Sequence, residues 1–257
     1  MYDTTTNPTV TPARPAPADA DGLGLAGRPD PYDFGTVTID LYRDIHKGIR
    51  AELFSVTGEA GSVDPSDRLG RAALAQHVRS VVDGLLSHAQ HEDGAVQPVL
   101  EAELPNLAPL IETDHLVIEE RMETLVEIAD GAVDAPAPQQ RAHVHQLYLE
   151  LSSFTAAYLR HQDVEERVVM PALEQAIGVE AALAIHQAIV SGIPPEQMAR
   201  SLAFMLPAMN LDDRAELLGG MRAGAPAEVF QGVWSLTGSV LVPADVSALA
   251  GRLGITA

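Results

Sequence analysis

The sequence predicts an all-α protein, an up-down-up-down four-helix bundle with an additional C-terminal helical layer. Three observations predict it. Four long segments between residues 36 and 178 carry apolar side chains three and four positions apart, the period of one helical face. Proline or glycine breaks part them by short connections, which make consecutive helices antiparallel neighbours. No stretch shows the extended two-residue alternation of a half-buried strand.

Residues 1–35 come first, rich in Thr, Pro, Ala and Asp and poor in large apolar side chains. Such a segment buries too little surface to offset its ordering entropy, so a disordered N-terminal tail is expected. A first helix over 38–54 places Tyr42, Ile45, Ile49 and Leu53 on one face. A second begins near Pro65, where Asp64 or Ser66 is placed to cap it. It carries Leu74, Val78, Val81, Leu85 and Ala89, and ends near Pro98. A third starts at 105–109, carries Ile111, Ile118, Met122 and Leu125, and stops near Gly131. The fourth follows the proline-rich turn at 136–138 and aligns Leu147, Leu151, Phe154, Tyr158 and Val168. These four make one domain over 36–178.

Beyond Gly178 the texture changes to shorter helices broken by Gly and Pro, at 179–190, 195–205, 212–221, 227–241 and 244–253. Phe204, Met205, Phe230, Trp234 and Leu241 give them apolar surface that needs burial. Residues 179–257 therefore read as a second layer or lid on the bundle, with no chemistry of their own.

Composition narrows the function. The chain has 257 residues, 36 acidic against 16 basic, a net charge of −20, and a single lysine, Lys47. That balance repels phosphate backbones and anionic lipid heads, so neither nucleic acid nor membrane is an expected partner. There is no cysteine, which excludes disulfides, zinc–thiolate sites, iron–sulfur clusters and thiol nucleophiles. Any metal must be held by nitrogen and oxygen. No apolar run approaches the roughly 18 residues of a membrane-spanning helix, and no secretory pattern opens the chain, so a cytoplasmic protein is expected.

The histidines carry the chemistry. Three of nine are followed by Glu four residues later (His88 and Glu92, His115 and Glu119, His161 and Glu165), where the abundance of glutamate predicts fewer than one. On a helix that spacing points both side chains toward one spot. His46, His88, His115 and His161 each continue the apolar stripe of their own helix, one histidine per helix. The intervals between them are 42, 27 and 46 residues, the long, short, long series that brings antiparallel helices to one level near the second turn. Buried imidazoles and carboxylates must be paired or bind metal. Four histidines with Glu92 and Glu165 exceed what one tetrahedral zinc needs. They suit a dinuclear non-haem centre, iron ahead of manganese.

His46, then His88-x-x-x-Glu92, then His115, then His161-x-x-x-Glu165 resembles the hemerythrin family, in the HHE variant of its cation-binding domain. SHAQHEDGAVQPVLE (87–101) and HQDVEERVVMPALE (161–174), each with a proline shortly after the motif, are similar to the two matching repeats of that family. The resemblance covers about 36–178. It implies two iron ions, one on His46 and His88 and the other on His115 and His161, bridged by Glu92, Glu165 and a solvent-derived oxo or hydroxo group. Oxygen-carrying relatives place a second histidine where this chain has Glu119. Two readings stay open: an anionic ligand that favours ferric iron, or an outward side chain that leaves a coordination position free.

Tyr42 and Tyr158, one turn before His46 and His161, are candidate hydrogen-bond donors to a bound oxygen species. His91 lies about 60° round the helix from His88, away from Glu92. The expected function is binding of, and reaction with, dioxygen, nitric oxide or peroxide, as carrier, sensor or detoxifier. A diiron oxygenase or oxidase with a small organic substrate and an electron donor is the alternative. A ferritin-like centre would need Glu-x-x-His twice, and only Glu112 to His115 supplies it.

Overall fold

A computed structural model describes residues 37–255. The chain divides into two units, 1–33 and 34–257, and everything described lies in the second. The expected tail over 1–35 falls outside the described residues. Among them the regular structure is helical throughout, without strands.

The first helix, α1 (Arg43–Ser62), starts five residues later than the stripe suggests. Asp40 Oδ1 accepts from the backbone N–H groups of Tyr42 and Arg43 at 3.0 and 2.9 Å, fixing a turn ahead of it. The helix runs on past 54 because Val56 and Ala60 extend its buried face. The second, α2 (Arg68–Ala95), is capped by Asp67, which accepts from Leu69 N–H at 2.9 Å. Asp64 instead organises the preceding turn through Ser66. The helix breaks at Val96, and a short α3 (Gln97–Glu103) follows with Pro98 in its first turn, so the helical path does not simply end at Pro98.

The next helix, α4 (Ala108–Asp134), passes Gly131 by three residues. The buried Arg71 guanidinium donates to the carbonyls of Ala132 (2.8 Å) and Val133 (3.2 Å), and to that of Pro65, so carbonyls left over at the helix end find a partner. Then α5 (Gln140–Val164) leads through a π turn, Glu165–Val169, into α6 (Met170–Ile177). Pro171 has no N–H to give the preceding turn and its ring crowds that turn's carbonyl, which accounts for the widening just before it. The unbroken stripe to Val168 is corrected accordingly: Val168 is half-buried, and Val169 and Met170 take the buried places. Gly178, at φ 81°, ends the segment in a conformation that favours glycine.

In the bundle α1 adjoins α2 and α5, and α4 adjoins the same two. Its core runs through Leu53, Leu74, Val78, Met122, Leu147 and Phe154. A second apolar cluster, including Val96, Leu100, Ile111, Met170 and Leu173, lies where α3 and α6 close one end.

Five further helices follow: α7 (Val179–Gly192), α8 (Pro195–Ala208), α9 (Leu211–Gly224), α10 (Ala227–Val240) and α11 (Pro243–Leu253). Leu202, Leu206, Leu218 and Leu249 form the buried centre of this layer. Arg214 donates to the Leu206 and Pro207 carbonyls at 2.7 and 3.3 Å and pairs with Asp245 at 2.8 Å. The layer meets the bundle chiefly where α8 crosses α1. Gly48 makes that crossing close, since a Cβ there would stand 2.6 Å from the Phe204 ring. Lys47 pairs with Asp213, and Arg43 with Glu216, pinning α9 to the same helix. No single described helix is long and apolar enough to cross a membrane.

Candidate metal centre

Each bundle helix delivers to one level. His46 comes from α1, His88 and Glu92 from α2, His115 from α4, His161 from the end of α5, and Glu165 from the first residue of the π turn. All six are buried, from 0% exposure at His46 to 8% at His88. The two halves of the bundle contribute equally, each giving two histidines and one glutamate.

The facing atoms are the four imidazole Nε2 and the carboxylate oxygens. His46 Nε2 stands 3.1 Å from His88 Nε2. Glu92 lies between the pairs, Oε1 at 3.1 Å from His88 Nε2 and Oε2 at 3.3 Å from His115 Nε2. Glu165 does the same from the opposite side, Oε1 at 3.1 Å from His161 Nε2 and Oε2 at 3.5 Å from His46 Nε2. Two sets of atoms fall within 4.8 Å of one another: Glu92, His115, His161 and Glu165 make one, and His46, His88 and Glu92 the other. Glu92 is common to both.

Although close, these atoms do not satisfy each other. Both oxygens of Glu92, both of Glu165, and His115 Nε2 are buried without an aligned hydrogen bond. Two Nε2 atoms 3.1 Å apart need a proton or a cation between them. A set of buried lone pairs converging on one point fits a bound cation.

Without a cation the charges strain against one another. Burial and the neighbouring Glu165 push the Glu92 carboxyl up to about 7, while Glu165 is held well below the usual range because His161, His115 and His46 outweigh its burial. Burial and the adjacent His46 push His88 well down. Burial opposes protonation of His115 too, yet Glu165 and Glu92 outweigh it and raise that imidazole to about 11.

An outer ring of acids aims the imidazoles. His46 Nδ1 lies 2.9 Å from Glu166 Oε1, and Arg50 forks onto the same carboxylate at 2.7 and 2.9 Å. His115 Nδ1 lies 2.9 Å from Asp93 Oδ1, whereas His161 Nδ1 stands 3.7 Å from Asp114 Oδ2, an ion-pair distance without a hydrogen bond. An Nδ1–H donated to such a carboxylate leaves the Nε2 lone pair facing inward, the tautomer a metal ligand needs. Glu166 is held at about 2, since hydrogen bonds from His46 and Arg50 outweigh its burial.

Tyr42 and Tyr158 are buried beside the centre, their rings 5.1 Å from His46 and 5.7 Å from His161. Burial, with Glu92 and Glu165 nearby, raises both phenols well above their usual range, so both keep their protons. Glu119, one turn beyond His115, is half-buried and belongs to neither set of converging atoms, and the same holds for His91. His77 lies elsewhere, bridging Glu59 at 2.6 Å and Glu52 at 3.2 Å. The sequence reading overlooked Asp93, Asp114, Glu166 and Arg50. Adjacency was the available signal, because each of those three acids directly neighbours a candidate ligand in the chain.

The chain matches the family model described as Hemerythrin HHE cation binding domain over residues 37–173, more than half its length. Neither the curated proteins nor the solved structures contain a match.

Proposed function

This chain belongs to the hemerythrin HHE cation-binding family, and from that premise we propose that it is a non-haem diiron protein that binds and reacts with dioxygen, nitric oxide or peroxide. The observation that carries the reading is the pair of buried His/Glu sets sharing Glu92, with lone pairs left unmatched. His46 and His88 would hold one iron, His115 and His161 the other, with Glu92 and Glu165 between them. A two-iron centre would supply the electrons for reduction of an oxygen species.

The chain's own residues do the rest. Glu166 and Asp93 fix the orientations of His46 and His115, and Asp114 lies near His161 as a charge. Tyr42 and Tyr158 place buried phenols beside the centre. Leu100, Ile111 and Met170, in the apolar cluster below, keep bulk water from that end. Glu119 standing outside both sets supports the reading in which one metal keeps a position free. The net charge of −20 supports small molecules, rather than nucleic acid or anionic lipid, as partners.

The test is to load Fe(II) anaerobically, count iron, and follow the optical spectrum as oxygen is admitted. Two irons per chain are expected. A charge-transfer band that reverses on degassing identifies a binder or sensor, and one that decays with oxygen consumed identifies an oxidase or peroxide-handling centre. A chain that takes up no metal pair under any loading condition overturns the proposal.

A further inference from the structure

Between the bundle and the helices α7 to α9 lies a cavity of about 1740 Å³. Its lining follows the second helix and its end from Ser80 to Val96, about 24 Å at 1.5 Å per residue, so it suits an elongated occupant. Ile45, Ile49 and Leu85 line it from the bundle, and Met198, Met205 and Leu217 from the layer. Methionines give such walls the freedom to adapt to a flexible chain. The cavity reaches Tyr42, His88 and Glu92, and His88 is the most exposed of the six candidate ligands.

Charge selects among apolar occupants. Asp40, Asp44, Glu52, Asp83, Glu92 and Glu216 line the space against only Arg43 and Arg200. Arg43 is already engaged by Asp44 and Glu216. An anion would enter against this lining and against the net charge of the chain. A cation finds four of the six acids committed, Asp44 and Glu216 to Arg43, Glu52 to His77, and Asp40 to the backbone ahead of α1, while Glu92 belongs to the candidate metal centre. Three glycines, Gly84, Gly220 and Gly224, face the same space, and a Cβ added at any of them meets nothing within 4 Å.

We infer that this seam is a binding site for one elongated, uncharged, largely hydrocarbon molecule, held with one end against His88 and Glu92. The site exists whether or not metal is bound. Only its placement beside a redox centre rests on the function proposed above.

The test uses the full chain, metal-free and iron-loaded, titrated with the uncharged fluorophore N-phenyl-1-naphthylamine. One saturable site per chain is expected in both forms, with dodecan-1-ol displacing the probe at least tenfold more effectively than dodecanoate. Gly84→Trp and Gly220→Trp fill the space and should each weaken probe binding about tenfold or more, while helicity and iron content stay at the parent level. Absence of saturable binding, equal displacement by the carboxylate, or undiminished binding in both variants overturns the inference. Binding that emerges only after removal of residues 1–36 also overturns it, because the occupant is then the chain's own N-terminal segment. Probe binding in a chain that fails to load iron sinks the metal reading and leaves this one standing.

Discussion

The bundle and the C-terminal layer are made of the same kind of amphipathic helix, yet their centres differ in kind. The layer closes on Leu202, Leu206, Leu218 and Leu249, and its buried arginine, Arg214, is matched by two carbonyls and a carboxylate. The bundle has a comparable apolar core through most of its length, then gives up one level to four imidazoles and two carboxylates. Each buried ionisable group costs several kcal/mol unless its charge is answered. The layer's buried charge is answered within the chain, whereas the candidate ligands of the bundle are left for a cation to answer.

The sharpest way to break this contrast is Glu165→Ala. Under the proposed function the variant should lose metal, and with it the stabilisation that binding adds, about 4 kcal/mol when free metal stands at a thousand times its dissociation constant. Helical circular dichroism follows the whole chain, while Trp234, the only tryptophan, sits in α10 and reports on the layer. The expected outcome is a lowered unfolding midpoint for the dichroism with little change in the Trp234 signal. If both midpoints fall together, the two regions unfold as one and the contrast is merely local.

Gly48→Leu tests the contact between them. The new side chain would collide with Phe204 and with the Met205 backbone, a mismatch costing about 1–3 kcal/mol. Loosening of α8 should appear as faster proteolysis within 195–224, with metal content retained. Unchanged proteolysis would show that α8 shifts to accommodate the side chain.

The smallest effect sharpens the account of α1 against α2. A hydrogen bond to Glu52, then one to Glu59, raises His77 to about 9 against its partial burial. A group whose folded pKa is raised adds stability that is fully present below the unfolded value of 6.5 and is lost as pH climbs through about 9. His77→Gln should remove that slope, a difference on the order of 1 kcal/mol between the ends of the window. Urea midpoints of the two proteins at either end measure it, and parallel pH profiles would refute it.

Much of this was legible in the chain because helical periodicity is a strong signal. The four stripes marked the core, and histidines lying on those stripes are the ones found buried together. Other features needed the folded context. The sequence points to Asp64 or Ser66 as the cap of α2, and only the path of the chain selects Asp67. The π turn arises where Pro171 withholds a donor inside an otherwise continuous helix, a consequence that periodicity does not carry. Asp93, Asp114 and Glu166 look like any other acids in a chain with 36, and their role comes from which imidazole each one meets. Glu119, spaced from His115 as the other pairs are, shows the converse: correct spacing without convergence.

The equal division of the candidate ligands between the halves of the bundle has a topological consequence. A cation pair held there joins points that are 42, 27 and 46 residues apart in sequence, stapling all four helices at once. Loops of such length, when closed by a covalent cross-link, restrict the unfolded chain by about 3–5 kcal/mol. A cysteine-free protein would thereby obtain the knotting effect of disulfides from coordination bonds. Those bonds can be withdrawn by a chelator, so the tightness of the fold would follow the local supply of iron.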